Sequence, residues 1–203
     1  MNYLAHVLLA GPNPAYRLGA LLGDFVKGPM PGVLPPAVAD GVMLHRSIDV
    51  FTDAHPAFLA SRARVSQARR RYSGIMIDMF YDHFLATHWA QFGQDALPDF
   101  ARDTYTLFAQ NGELLPARLA QILPNMTRND WLTSYRRPEA IAGAINGMAT
   151  HRLSQPNALG GGGDELLDKY TEFEADFLAF WPEVRAHAQA FRQAHGMNGD
   201  DRE

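Results

Sequence analysis

The chain contains no cysteine in 203 residues. That excludes a disulfide framework, a thiolate nucleophile, thiolate zinc sites and iron–sulfur clusters, so any metal must be held by His, Asp and Glu. Long apolar runs are missing too. The longest are broken by charge or by Gly/Pro well short of the roughly 18 residues that a membrane span needs, so no membrane partner is expected. The first ten residues lack the basic start and small-residue cleavage site of a signal peptide, and a cytoplasmic protein is predicted. There is no His-Glu-x-x-His, no Gly-x-Ser-x-Gly and no phosphate-cradling Gly-x-x-x-x-Gly-Lys-Ser/Thr. Alternating strand segments with hairpin turns are absent as well.

What is present is helical periodicity almost everywhere. Hydrophobic residues make up 47% and charged residues 20% of the chain, the balance of a globular protein. A chain of this length buries roughly 70% of its unfolded surface and folds without staples. The pattern predicts an all-α, single-domain helical bundle of about eight helices over residues 1–195, with a frayed tail at 196–203. Predicted helices cover residues 2–10, 18–26, 36–52, 57–72, 74–92, 98–110, 116–126, 138–152 and 164–180, and Pro182 starts the last one. Gly11-Pro12-Asn13-Pro14 reads as a breaker, and residues 160–163, four glycines, as a loop or flexible linker. Phe173, Phe177, Phe180, Trp131 and Trp181 read as core. His88 and Trp89 read as packing, His55 as surface, and His187 and His195 as exposed.

Net charge is −4, but its distribution says more. Arg62, Arg64, Arg69, Arg70 and Arg71 fall within twelve residues that hold no acid, which leaves 13 basic against 22 acidic residues elsewhere. Such a patch is either a solvated helix face or the footprint of one defined anionic partner, rather than of nucleic acid in general.

Chemistry concentrates in the first half. In Ile77-Asp78-Met79-Phe80-Tyr81-Asp82-His83-Phe84-Leu85, Asp78 and Asp82 share a helix face and His83 lies about 100° further round. Three ionisable groups in so apolar a frame need compensation, and a divalent metal supplies it. His45 and Asp49 repeat the i, i+4 pattern, Asp24 sits in Gly23-Asp24-Phe25, and His6 lies between apolar neighbours. Taken alone, His6 reads as a core histidine. Together these seven residues form a mixed imidazole–carboxylate set suited to Mn, Fe or Zn and to metal-assisted phosphoester hydrolysis. A carboxylate or imidazole left off the metal would then act as proton donor to the leaving alkoxide.

Five ordered segments carry a family resemblance. They are Asn2-Tyr3-Leu4-Ala5-His6; Gly19-Ala20-Leu21-Leu22-Gly23-Asp24-Phe25-Val26-Lys27-Gly28; His45-Arg46-Ser47-Ile48-Asp49-Val50-Phe51-Thr52-Asp53; Asp82-His83-Phe84-Leu85 with Trp89; and Ile145-Asn146-Gly147-Met148-Ala149 with Arg152. This pattern resembles the acyl carrier protein phosphodiesterase family, also called acyl carrier protein hydrolases, a non-canonical relative of the all-α HD phosphohydrolases. The resemblance implies removal of the 4′-phosphopantetheine arm from holo-acyl carrier protein, with Mn²⁺ as the best cofactor and Mg²⁺, Fe²⁺ or another divalent ion as alternatives. It implies a metal site of Asp24, His45, Asp82 and His83, with His6 and Asp49 close by. His6, Asp24, Asp49 and Asp78 are then the candidate catalytic groups. The dyad reads Asp82-His83, reversed from the ordinary HD order. The resemblance also gives the five arginines an acidic carrier protein to dock, and Arg46 a phosphate to reach. Two other readings stand beside it: an HD-like hydrolase of a small nucleotide or phosphoester, and a non-catalytic helical module that binds an acidic partner.

Overall fold

A computed structural model describes residues 2–30 and 32–197. Among the described residues there are twelve α-helices, two short 3-10 turns and no strand, in keeping with the all-α expectation. In chain order the helices are α1 (Tyr3–Leu9), α2 (Pro14–Leu22), α3 (Pro36–Ala54), α4 (Pro56–Arg64), α5 (Ser73–Thr87) and α6 (Trp89–Phe92). They continue as α7 (Leu97–Gln110), α8 (Ala117–Arg128), α9 (Trp131–Ser134), α10 (Pro138–His151), α11 (Asp164–Asp168) and α12 (Tyr170–Ala194). No helix among them is long and apolar enough to cross a membrane.

Helix α5 runs through the centre and buries residues on every side, from Met76 and Ile77 to Phe84 and Leu85. A helix apolar all round has to be enclosed. Its enclosure comes from α1, α4, α10 and α12. Phe80 packs edge-on against Phe173, and Tyr81 against Phe58 and Phe177. Phe173, Phe177, Phe180 and Trp181 are fully buried, as expected of core residues. Each is worth roughly 1.5–3 kcal/mol of burial, and that row explains why Pro182 does not start a new helix. α12 continues through it for 25 residues, because the buried face on both sides outweighs the roughly 3 kcal/mol that an interior proline costs.

Three other boundaries differ from expectation for local reasons. Pro14 starts α2 rather than breaking it: it takes the first helical position, and the Asn13 side chain accepts from the Ala15 amide at 2.9 Å. The arginine-rich helix predicted over 57–72 is interrupted, since Val65 and Ser66 are extended (ψ 137° and 151°) before a 3-10 turn at Gln67–Tyr72. Glu165 rewards that break by accepting from both the Ser66 amide and its hydroxyl, at 2.8 and 2.6 Å. The glycine run is pinned rather than free. The Gly161 amide donates to Asn146 Oδ1 at 2.8 Å, and a Cβ on Gly163 would meet Ala142 Cα at 2.4 Å.

His55, expected at the surface, is buried and caps α4 by accepting from the Ala57 amide. His187 is half-buried, stacked on Phe51 with Ser47 Oγ at 2.9 Å, whereas His195 is exposed as expected. Of the predicted tail, Met197 is buried and its amide returns to the Arg192 carbonyl at 2.8 Å. Residues 198–203 lie outside the described residues.

The pair that positions the site is α2 against α3. A Cβ on Gly19 would lie 2.0 Å from the Val38 carbonyl oxygen and 2.8 Å from Gly41 Cα. The two backbones therefore touch. This contact brings the C-terminal end of α2 onto the middle of α3.

Candidate active site

His45 projects from α3 toward that end of α2. Its Nδ1 donates to the Ala20 carbonyl at 2.7 Å, since a carbonyl can only accept. The tautomer is thereby fixed, and Nε2 is left to face outward from the helix pair. One turn along α3, Asp49 Oδ2 lies 3.1 Å from that nitrogen, and Asp24, just past α2, has Oδ1 at 3.8 Å. His6 reaches the same carboxylate from α1, with Nε2 3.1 Å from Asp49 Oδ1. The two imidazoles stack, with centroids 3.7 Å apart and planes at 17°. One ligating atom from each of His6, His45 and Asp49 lies within 4.8 Å of the others.

The electrostatics of this cluster ask for a cation. Burial, reinforced by His45, depresses the His6 pKa to about 3, so its ring is neutral at ordinary pH. Neither His6 nitrogen has an aligned hydrogen-bond partner, an unusual state for an imidazole only 1% exposed. Burial pushes Asp49 upward, but the two imidazoles of His45 and His6 against it outweigh burial and hold the carboxyl well below the usual range. Two imidazole nitrogens aimed at one ionised carboxylate, with a second carboxylate at the rim, form a donor set that fits a divalent ion.

The position of α1 is set by Asp82. Asn2 provides no side-chain cap for α1. Instead Asp82, fully buried on α5, accepts from the Leu4 amide at 2.9 Å and from the Ala5 amide at 3.2 Å. Burial raises its pKa to about 7 although both amides pull it down. Asp82 therefore anchors the helix that carries His6. His83 points elsewhere: Nδ1 donates to the Tyr135 carbonyl at 2.8 Å, and Nε2 accepts from the Tyr170 hydroxyl at 3.0 Å. Asp78 is half-buried on the Asp82 face of α5, and burial, then the charges of Asp49 and Asp24, raises its pKa. The structure thus brings His6, Asp24, His45 and Asp49 together, sets Asp78 within electrostatic reach, and leaves Asp82 and His83 outside the cluster.

The profile of the acyl carrier protein phosphodiesterase family matches residues 1–184. The chain belongs to this family. It is 36% identical over 190 residues to the acyl carrier protein phosphodiesterase of Serratia proteamaculans, covering 93% of this chain and 98% of that one. The Yersinia pestis protein of the same name matches equally, at 36% over the same shares. The protein of that name from Escherichia coli O157:H7 is 34% identical over 199 residues, or 96% of this chain and all of that one. No solved structure matches the chain.

In this acyl carrier protein phosphodiesterase family member the remaining predicted residues are placed as follows. Arg46 donates to the carbonyls of Gly28 and Val26, at 2.8 and 3.0 Å, and so holds the loop beyond Asp24. Arg64 grips Asp176 at 2.8 and 3.3 Å, and Arg69 is bound to Glu165 and the Gly160 carbonyl, both at 3.0 Å. Arg62 bonds Ser73 and lies 3.9 Å from Asp53. Arg70 and Arg71 are exposed, with Arg71 over the Tyr72 ring. The sequence reading missed Gly23, where a Cβ would fall 2.1 Å from His45 Cγ. A glycine directly before a candidate aspartate was the available signal.

Proposed function

We propose that this chain is a metal-dependent phosphodiesterase that hydrolyses the 4′-phosphopantetheine arm from holo-acyl carrier protein, leaving the apo form. Family membership supports the reaction class and the carrier-protein substrate. The observation that carries the metal dependence is the convergence of His6 and His45 Nε2 on Asp49, each at 3.1 Å.

His6, His45 and Asp49 would hold the ion, with Asp24 as the adjoining carboxylate. Mn²⁺, the choice the family resemblance implies, would polarise the phosphoryl oxygens and acidify a water when bound. The protein's own part is to hold His45 in one tautomer through Ala20, and to keep His6 neutral by burial so that its lone pair is available. Asp24, with its side chain about a third exposed at the rim, is assigned to receive a proton from the attacking water. Asp78, whose raised pKa keeps a proton on the carboxyl further up the pH scale, is assigned to donate to the departing serine oxygen. Arg70 and Arg71, exposed and without ion pairs among the described residues, with Arg62 beside them, would steer an acidic carrier protein. Arg64 and Arg69 are spent on Asp176 and Glu165 and contribute less to docking. We assign the enzyme to the cytoplasm.

The test is Mn²⁺ binding and holo-carrier-protein turnover by His45→Ala and His6→Ala. Both variants are expected to lose metal affinity and turnover together while keeping their helical circular dichroism. Full turnover in both would overturn the assignment.

A further inference from the structure

A cleft of about 450 Å³ opens between the end of α1, the start of α2, the α6–α7 connection and the outer face of α12. Its size is that of a small-molecule site. The walls are of two kinds. Leu8, Phe92, Phe100 and Trp181 give an apolar side, and Arg17, Arg185 and Arg192 give a cationic one. Asp95 is the only acid lining the cleft. On a chain of net charge −4, three guanidiniums against one carboxylate is a local reversal of sign.

None of the three arginines has a carboxylate within ion-pair distance among the described residues. Arg17 donates Nε to the Gly11 carbonyl at 2.7 Å, and its guanidinium carbon lies 4.9 Å from the Phe100 ring centroid. Arg192 donates one amino group to the Leu9 carbonyl. Those bonds satisfy the end of α1 and leave most of the N–H groups of each fork unused. Burial alone depresses Arg192, with no anion to offset it.

Three guanidiniums against one carboxylate make one wall predominantly cationic, and the other wall is apolar. We infer that this cleft is a binding site for a small amphipathic anion, a phosphate monoester or carboxylate whose apolar body lies against Leu8 and Phe92. The head would take N–H groups from Arg17, Arg185 and Arg192 in the forked geometry that suits both oxyanions. The site is separate from the His6–His45–Asp49 cluster and does not depend on the proposed reaction.

The test is calorimetric titration of the full chain with hexyl phosphate, in the presence of a chelator so that a metal cluster cannot contribute. Hexanoate, 1-hexanol and inorganic phosphate are the comparison probes. One hexyl phosphate per chain is expected to bind, at least about tenfold tighter than 1-hexanol. Hexanoate binding equally well identifies a general oxyanion site; binding only by hexyl phosphate identifies a phosphate site. Arg185 is exposed and makes no side-chain hydrogen bond among the described residues, so Arg185→Glu is expected to fold normally and weaken binding about tenfold or more. His45→Ala should not change it. Binding of Arg185→Glu equal to wild type, 1-hexanol binding as tight as hexyl phosphate, or no heat up to about 10 mM ligand would each overturn the inference.

Discussion

Gly23→Ala should inactivate the protein without replacing any ionisable group. A Cβ at this position would lie 2.1 Å from His45 Cγ, 2.3 Å from Cδ2 and 2.6 Å from Nδ1. Ordinary contact begins near 3.4 Å, so the imidazole must retreat by about 1.3 Å, the difference between those two distances. It cannot do so and keep both its 2.7 Å bond to the Ala20 carbonyl and its 3.1 Å approach to Asp49. Overpacking of this kind costs typically about 1–3 kcal/mol in stability. A displacement near 1 Å at a catalytic constellation costs about 10²-fold in rate. The assay is kcat on holo-acyl carrier protein together with Mn²⁺ affinity, with Gly143→Ala as control. Gly143 is an exposed glycine within α10 whose added Cβ would meet nothing within 4 Å, so that change should be neutral or slightly stabilising. If Gly23→Ala kept kcat within about twofold of wild type, the claim that His45 must sit against the α2 backbone would fail.

Other expectations follow from the same geometry. Asp82→Ala leaves the buried Leu4 and Ala5 amides without acceptors, at about 1–3 kcal/mol each, and should lower the denaturant midpoint at an unchanged m-value. Asp82 also predicts a pH signature. Its pKa rises from 3.8 to about 7 on folding, so the folded state binds the extra proton across that window. Wild-type stability relative to Asp82→Asn should therefore fall by a few kcal/mol from pH about 4 to about 7, then level. His6, depressed from 6.5 to about 3, acts in the opposite sense between those values but cancels in the comparison; a flat difference would refute the raised carboxyl. Reversing Arg70 and Arg71 together should raise KM at low salt and leave kcat unchanged. An unchanged KM would remove the patch from docking. Gly41→Ala, whose Cβ would fall 2.4 Å from the Tyr16 carbonyl oxygen, should destabilise the protein more than Gly143→Ala, by thermal melting.

Much of this architecture is legible in the chain because helical periodicity is a local property. α3, α7 and α10 fall within two residues of their expected bounds. What sequence could not supply was decided by partners far along the chain. The break at Val65 and Ser66 depends on Glu165, ninety-nine residues from Ser66. The passage of α12 through Pro182 depends on how much aromatic surface it buries beneath it.

The candidate site divides in the same way. His45 and Asp49 are one turn apart on one helix, and their pairing can be read directly from spacing. Asp82 and His83 are neighbours in sequence, which makes them look like a unit, yet consecutive helical residues face about 100° apart. Asp82 turns to the amides of α1, while His83 turns to Tyr135 and Tyr170. His6 has no local polar neighbour and so reads as core. Only the anchoring of α1 on Asp82 sets its ring on that of His45.

Incubation of holo-acyl carrier protein with this protein, read by intact mass with added Mn²⁺ and again with a chelator, tests the central claim most directly. The account predicts loss of one 4′-phosphopantetheine mass with metal, none with chelator, and none with His45→Ala under either condition. Cleavage that persisted in the chelator, or in His45→Ala, would contradict a metal-dependent site built on His6, His45 and Asp49.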